Sequence, residues 1–232
     1  MRGPALIAAL LLLPGLAAAQ AITAARYAEP TDRYGHRVLG AGGEWAAMVL
    51  TLDDGTTRRV TLPDSLVFED IAPLLADLDG DGAPEVIAVE SSLRAGARLA
   101  IHGPRGRIAA TPHIGTRNRW LAPVGAADLD GDGHMEIAYI DRPHLAQVLR
   151  VWRFRDGALA HVADARGLTN HRIGWDFIPG GIRDCGDGPE MITALSGWSR
   201  IAATRLAGGA LTSTPIGPYR GPESLDAALA CP

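Results

Sequence analysis

The chain has 232 residues, a formal net charge of −4 and no lysine, so every fixed positive side chain is arginine. This composition excludes chemistries that need a side-chain amine, among them Schiff-base catalysis, a lysine general base and a P-loop. With no basic cluster, it also argues against a nucleic-acid partner.

Met1 and Arg2 precede an apolar run from Ala5 to Leu13, a break at Pro14 and Gly15, and the small residues Ala17, Ala18 and Ala19. A short basic start, an apolar centre and small residues at the cleavage point define a secretory signal peptide over residues 1–19, cut after Ala19. The run is too short to remain in a bilayer, and no later segment reaches the roughly 18 apolar residues of a transmembrane helix. The mature chain, residues 20–232, is therefore expected to be one periplasmic or secreted domain without a transmembrane segment.

Two acidic loops follow: Asp77-Leu78-Asp79-Gly80-Asp81-Gly82-Ala83-Pro84-Glu85 and Asp128-Leu129-Asp130-Gly131-Asp132-Gly133-His134-Met135-Glu136. Each places four carboxylates within nine residues, and such crowding calls for a cation. Carboxylates at loop positions 1, 3, 5 and 9, with a backbone carbonyl at position 7 and water, supply the hard oxygens that Ca²⁺ accepts. The predicted ligands are Asp77, Asp79, Asp81, Glu85 and the Ala83 carbonyl in one site, and Asp128, Asp130, Asp132, Glu136 and the His134 carbonyl in the other. Asp and Gly also make plain tight turns, but two copies with one spacing favour an ion, with Mg²⁺ as the alternative to Ca²⁺. The role expected for it is structural.

An EF-hand would require Glu at position 12 and a following helix, whereas Ala88 and Tyr139 stand there. Behind each loop comes a short run rich in β-branched residues, Glu85–Val89 and Glu136–Ile140, which reads as a strand. This pattern, A-D-L-D-G-D-G-x-x-E followed by a short apolar strand, resembles the FG-GAP/VCBS repeat, the blade unit of integrin-α-type β-propellers. The resemblance implies recognition of a protein or glycan through loops, and metal sites that hold the blades together.

Gly80 and Gly131 lie 51 residues apart, and an altered copy, Asp184-Cys185-Gly186-Asp187-Gly188-Pro189-Glu190, follows 55 residues after Gly131. It has Arg183 and Cys185 where the first two ligands should stand, so it is expected to hold no calcium. A fainter copy without aspartates lies at 40–44. Entry strands are expected at Ile71–Ala76, Leu121–Ala127 and Phe177–Ile182, and second-hairpin turns at Gly103–Gly106, Asp156-Gly157 and Gly208-Gly209. The fold expected is all-β: a propeller-like array of about four four-stranded blades, with the first truncated, closing as a small ring or left as an open arc. The compact ring is the favoured form.

Cys185 and Cys231 are the only cysteines and are expected to form a disulfide, stabilising the fold by roughly 4 kcal/mol in the chain-entropy model. No zinc motif, nucleophile elbow or lysine site is present, and carboxylates committed to an ion make poor proton donors, so a non-enzymatic binding or scaffold role is expected. The alternative is a periplasmic polysaccharide hydrolase or lyase, for which Asp32, Arg33, His36, Asp141 and His144 are the loosely grouped candidates. Trp45, Trp120, Trp152, Trp175 and Trp198 are expected to pack between sheets, some of them offering glycan- or protein-contact patches.

Overall fold

The computed structural model describes residues 20–40 and 42–231; the expected signal peptide lies outside the described residues. Those residues form 17 strands and one helix, in agreement with the all-β expectation. They include no helix long and apolar enough to cross a membrane.

The first sheet holds β1 (Ile22–Pro30), β2 (Glu44–Leu52), β3 (Thr57–Thr61), β4 (Leu66–Glu69), β5 (Leu74–Ala76), β6 (Glu85–Ser92), β7 (Gly96–Gly103) and β8 (Gly106–Ala110). The second is a four-stranded meander of β9 (Leu121–Ala127), β10 (Glu136–Asp141), β11 (Val148–Arg155) and β12 (Ala158–Arg166). The third holds β13 (Leu168–Thr169), β14 (Gly181–Asp184), β15 (Pro189–Leu195), β16 (Arg200–Ala207) and β17 (Ala210–Pro218). All pairings are antiparallel.

Each acidic loop joins an inner strand to the strand predicted behind it: β5 to β6, β9 to β10 and β14 to β15. The inner strand is whole only in the second sheet. In the first, β4 and β5 pair with opposite ends of β6 and are separated by 70–73. In the third, β13 and β14 share β15 around a longer excursion, 170–180. The predicted turns fall where expected; Asp156 and Gly157, at φ 52° and 72°, close the two-residue β11–β12 hairpin in the left-handed conformation that its twist requires.

The sheets stack, and the alternation of side chains along each second strand explains how. Val86 and Ala88 of β6 face a core with Met48, Leu50 and Phe68. Ile87 and Val89 face another that holds Ile137 and Tyr139 of β10. Ala138 and Ile140 of β10 then meet Met191 of β15, and Ile192 meets Leu225 and Ala228. A strand covered on both faces must be apolar at nearly every position, which is why these three segments read as continuous hydrophobic runs.

The entry strands expected at Ile71–Ala76 and Phe177–Ile182 are found as Leu74–Ala76 and Gly181–Asp184, and two further features depart from the sequence reading. The truncated N-terminal unit, β1 to β3, is not a separate blade, because Glu44 and Trp45 pair with Glu69 and Phe68 and join it to the next meander. The C-terminal segment is a helix, α1 (Pro222–Leu229), whose start carries Pro and then Glu223, the usual helix-opening residues. It covers the open face of the third sheet, and the Cys185–Cys231 disulfide fastens it there.

Glu90, fully buried on β6, accepts hydrogen bonds from Arg98 Nη2 at 2.6 Å, His102 Nε2 at 3.0 Å and Arg107 Nη1 at 3.0 Å. Burial alone would raise its pKa, but bonds from His102 and Arg98 outweigh that and hold it at about 2. A depressed carboxylate stabilises the fold above its ordinary pKa of 4.5, and the contribution is lost as pH falls toward 2. Glu90→Ala is expected to cost about 3–5 kcal/mol at pH 7 in urea denaturation, with the difference from the parent narrowing below pH 4.

Candidate functional site

The acidic loops are wound by their own carboxylates. Asp77 accepts N–H bonds from Gly80 (2.9 Å) and Gly82 (3.0 Å), and Asp128 accepts the same bonds from Gly131 (2.8 Å) and Gly133 (3.0 Å). Glu85 accepts from the Leu78 amide at 3.0 Å and Glu136 from the Leu129 amide at 2.8 Å. Leu78 and Leu129 point inward and are buried, anchoring each loop beside its core. The glycines at positions 4 and 6 sit at positive φ in both loops, 76° and 85° in the first, 76° and 86° in the second, which an L side chain adopts only at a cost.

This winding converges acids. One carboxylate oxygen from each of Asp77, Asp79 and Glu85 lies within 4.8 Å of the others, as do those of Asp128, Asp130 and Glu136. Glu85 is held above its ordinary pKa by burial and then by Asp79, Asp81 and Asp77. These hard oxygen donors suit a divalent cation. In the second loop Asp130 Oδ1 is buried without a hydrogen-bond partner, an acceptor for which an ion would supply the missing contact.

The two loops differ in one respect that the spacing of acids does not reveal. Arg153 of β11 stands opposite Glu136 and bonds to it, to Asp130 at 2.6 Å and to Asp132 at 2.8 Å. On β7 the corresponding place, one step beyond the Val86–His102 pair, is Gly103, and no arginine contacts Asp77, Asp79, Asp81 or Glu85 among the described residues. In the third loop Arg183 and Arg205 both pair with Glu190, and Asp184 Oδ1 receives the Gly186 and Gly188 amides. Ion pairs with arginine are thus absent from the first loop among the described residues, where Arg105 and Arg107 only share a groove with Asp79, Asp81 and Glu85; one arginine makes them in the second and two in the third. His134, whose carbonyl is the predicted ligand, is half-buried and lines a groove with Asp77 and Asp79 of the neighbouring loop.

The other end of the strands gathers the connections 31–40, 111–120, 142–147 and 170–180. Of the loosely grouped candidates, His36 and His144 line one cavity there. Arg33 instead reaches Asp64, Asp32 is exposed, and Asp141 is buried under Arg142 and Arg150. His36 Nδ1 lies 2.6 Å from Glu69, and His144 Nε2 lies 2.9 Å from His171 Nδ1. Glu69 and His171 went unnoticed in the sequence because Glu69 ends β4 at the edge of one inner-strand interruption and His171 sits within the other, and periodicity marks neither. Asp70, beside Glu69, is buried and its pKa is pushed up to about 7 by desolvation. Trp120 is buried, donating to the Glu69 carbonyl at 2.8 Å, while Trp175 and Trp198 join Phe177 and Tyr219 in a half-exposed cluster beneath Arg172.

Residues 77–139 match the family model of the FG-GAP-like repeat, so the segment from the first acidic loop to the strand behind the second carries that repeat. No curated protein matches the chain. Among solved structures, the exotype rhamnogalacturonan lyase YesX is similar at 13% identity and a TM-score of 0.49 over 88% of this chain. Rhamnogalacturonan lyase YesW is similar at 14% identity and a TM-score of 0.40 over 77%. The chain spans about half the length of the first, 50%, and 43% of the second.

Replacing Arg153 tests the difference between the loops. Arg153→Gln is expected to lower the melting temperature in EGTA, because Asp130, Asp132 and Glu136 lose their counter-charge. It is also expected to widen the gain in melting temperature on adding millimolar CaCl₂ relative to the parent. Differential scanning fluorimetry reads both, and an equal calcium response in parent and variant contradicts the assignment.

Proposed function

We propose that the chain is a secreted or periplasmic binding or scaffold module, built of FG-GAP-like, propeller-type blades stacked as an open arc and held rigid by calcium. The observation that carries this reading is the first acidic loop: the carboxylates of Asp77, Asp79 and Glu85 are wound toward one point, and no arginine among the described residues forms an ion pair with them. Asp77, Asp79, Asp81, Glu85 and the Ala83 carbonyl would ligate the ion there. In the second loop Asp128, Asp130, Asp132, Glu136 and the His134 carbonyl would do so with Arg153 displaced or retained as a neighbour. The FG-GAP-like match over these loops and the disulfide, which suits an oxidising compartment, support the same reading. The open arc is favoured by α1, which covers the last sheet where a closing blade would pack.

Calcium in this role sets stability and performs no chemistry. With a dissociation constant of about 10⁻⁴ M, as in extracellular modules, millimolar calcium adds about 1.4 kcal/mol per site. The partner read through the loops is a protein or a glycan, and the half-exposed aromatics at the far end are the kind of side chain that such contacts favour.

A catalytic reading, as a hydrolase or lyase acting on polysaccharide, has one observation in its favour: the His36–Glu69 pair at the edge of a cavity, an imidazole oriented by a carboxylate. It requires turnover that His36→Ala abolishes while the melting temperature in calcium stays unchanged.

Asp79→Asn is expected to remove most of the calcium-dependent rise in melting temperature, whereas Asp130→Asn removes a smaller part. Envelope proteins captured by the immobilised chain in calcium should be released by EGTA. A melting transition indifferent to both calcium and Asp79→Asn would overturn the proposal.

A further inference from the structure

The cavity at the far end, about 330 Å³, is lined by Arg37, Arg119, Arg142, His36, His144 and Trp120, among others, and by no acidic residue. Its guanidiniums are unequally committed. Arg142 gives Nε and Nη2 to the two oxygens of Asp141 at 2.8 and 2.9 Å, and Arg37 reaches exposed Asp32 only at 3.6 Å. Arg119, half-buried, has no carboxylate partner among the described residues; its Nη1 donates to the Asn118 carbonyl at 2.9 Å. Several cations converging on a concave site without an acid make it attractive to an anion.

The hydrogen-bond chain beside it fixes a tautomer. The Trp175 carbonyl can only accept, so His171 Nε2, 3.0 Å away, carries a proton and donates. Neutral His171 then offers a bare Nδ1 that accepts from His144 Nε2 at 2.9 Å, which leaves His144 Nδ1 without a proton. Burial, with His171 and His36 near, holds the His144 pKa down at about 4, so this lone pair persists at neutral pH. His36 commits Nδ1 to Glu69 at 2.6 Å and leaves Nε2 free.

Backbone strain gathers at the same place. Arg37, Asn118 and Arg142 have φ of 54°, 54° and 49°, three of the eight non-glycine residues at positive φ among those described, and all three line this cavity. Strained residues of this kind concentrate at ligand sites, where surrounding contacts hold them.

We propose that the cavity binds a small polyhydroxy carboxylate, its carboxylate taken by Arg119 and Arg37 and a hydroxyl proton by the bare Nδ1 of His144. This rests on the reading of the chain as a binding module and names the chemistry of what it binds. Arginine matches carboxylate and phosphate equally well, but the dianion of a phosphate monoester has no proton for a bare imidazole nitrogen. A ligand carrying both an anion and hydroxyl donors satisfies both halves of the site, whereas a neutral sugar leaves Arg119 unanswered.

Isothermal titration of the full chain in calcium with glucuronate and with gluconate tests the proposal, using glucose and methyl phosphate as comparisons. At least one of the two acids should bind saturably, no less than tenfold more tightly than glucose or methyl phosphate. Arg119→Gln should weaken that binding at least tenfold without changing the melting temperature. His144→Leu, with its acceptor gone, should narrow the preference over methyl phosphate. No saturable binding of either acid, methyl phosphate binding as tight as theirs, or an unchanged affinity in Arg119→Gln would each refute it. Because melting with and without calcium is read on the same samples, a chain that responds to calcium yet binds neither acid loses this proposal alone.

Discussion

Like charges held close together raise the free energy of a fold unless positive charge lies among them, and this constraint recurs at every inner-strand turn of the array. The three acidic turns share one winding, in which the first aspartate collects amides and the final glutamate, or its equivalent, opens the next strand. They differ in how the repulsion is answered. Arg183 and Arg205 answer it in the third turn, Arg153 answers part of it in the second, and in the first no arginine among the described residues forms an ion pair with the acids. The stability of the stack is therefore unevenly exposed to its surroundings: the first meander, between the N-terminal unit and the second sheet, carries the turn with the greatest need of an ion.

That unevenness explains which parts of the molecule were legible in the sequence. The acidic turns and the strands behind them follow from local chemistry, since Asp and Gly at fixed offsets wind a loop and β-branched runs extend from it. The Asp156-Gly157 hairpin follows in the same way, because few residues tolerate positive φ in succession. Arg153 was not legible, since its meaning depends on the β10–β11 register that places it opposite Glu136. A shift of one residue would have pointed it to the other face. The merging of the N-terminal unit with the next meander rests on the pairing of Glu44 and Trp45 with Glu69 and Phe68, a non-local contact that periodicity does not encode. The helix did leave a signal, Gly221-Pro222-Glu223 ahead of Leu225 and Ala228, but the expectation of an all-β repeat overrode it.

The far-end site was partly visible as His36 and His144, and partly hidden for a structural reason. In the first and third sheets the inner strand is interrupted, and the chain so freed, 70–73 and 170–180, brings Asp70 and His171 to the end where the long connections meet. Interruption of a strand releases backbone from the ladder, and the released groups must be satisfied elsewhere. Here Trp120 and Trp45 donate to the Glu69 and Asp70 carbonyls, and His171 donates to the Trp175 carbonyl. Trp120, which lines the cavity, is thus also one of the side chains that repair the broken strands.

The two ends of the array consequently carry opposite character. Turns at one end are acidic because alternate residues of a tight loop converge on one point, and connections at the other are long because each must cross from an outer strand to the next inner one. Short turns can hold an ion but leave no room for a larger ligand; long connections can enclose a cavity but need fixed anchors to keep its shape. An ion at the first end would restrain β5 against β6, and β6 runs from Glu85 to Glu90 and Ser91, with Ser91 donating to Glu69, the carboxylate that orients His36. A continuous buried strand therefore joins the turn most in need of a cation to the side chain at the edge of the cavity, and rigidity conferred at one end is delivered to the other through covalent backbone and not through a relay of surface contacts.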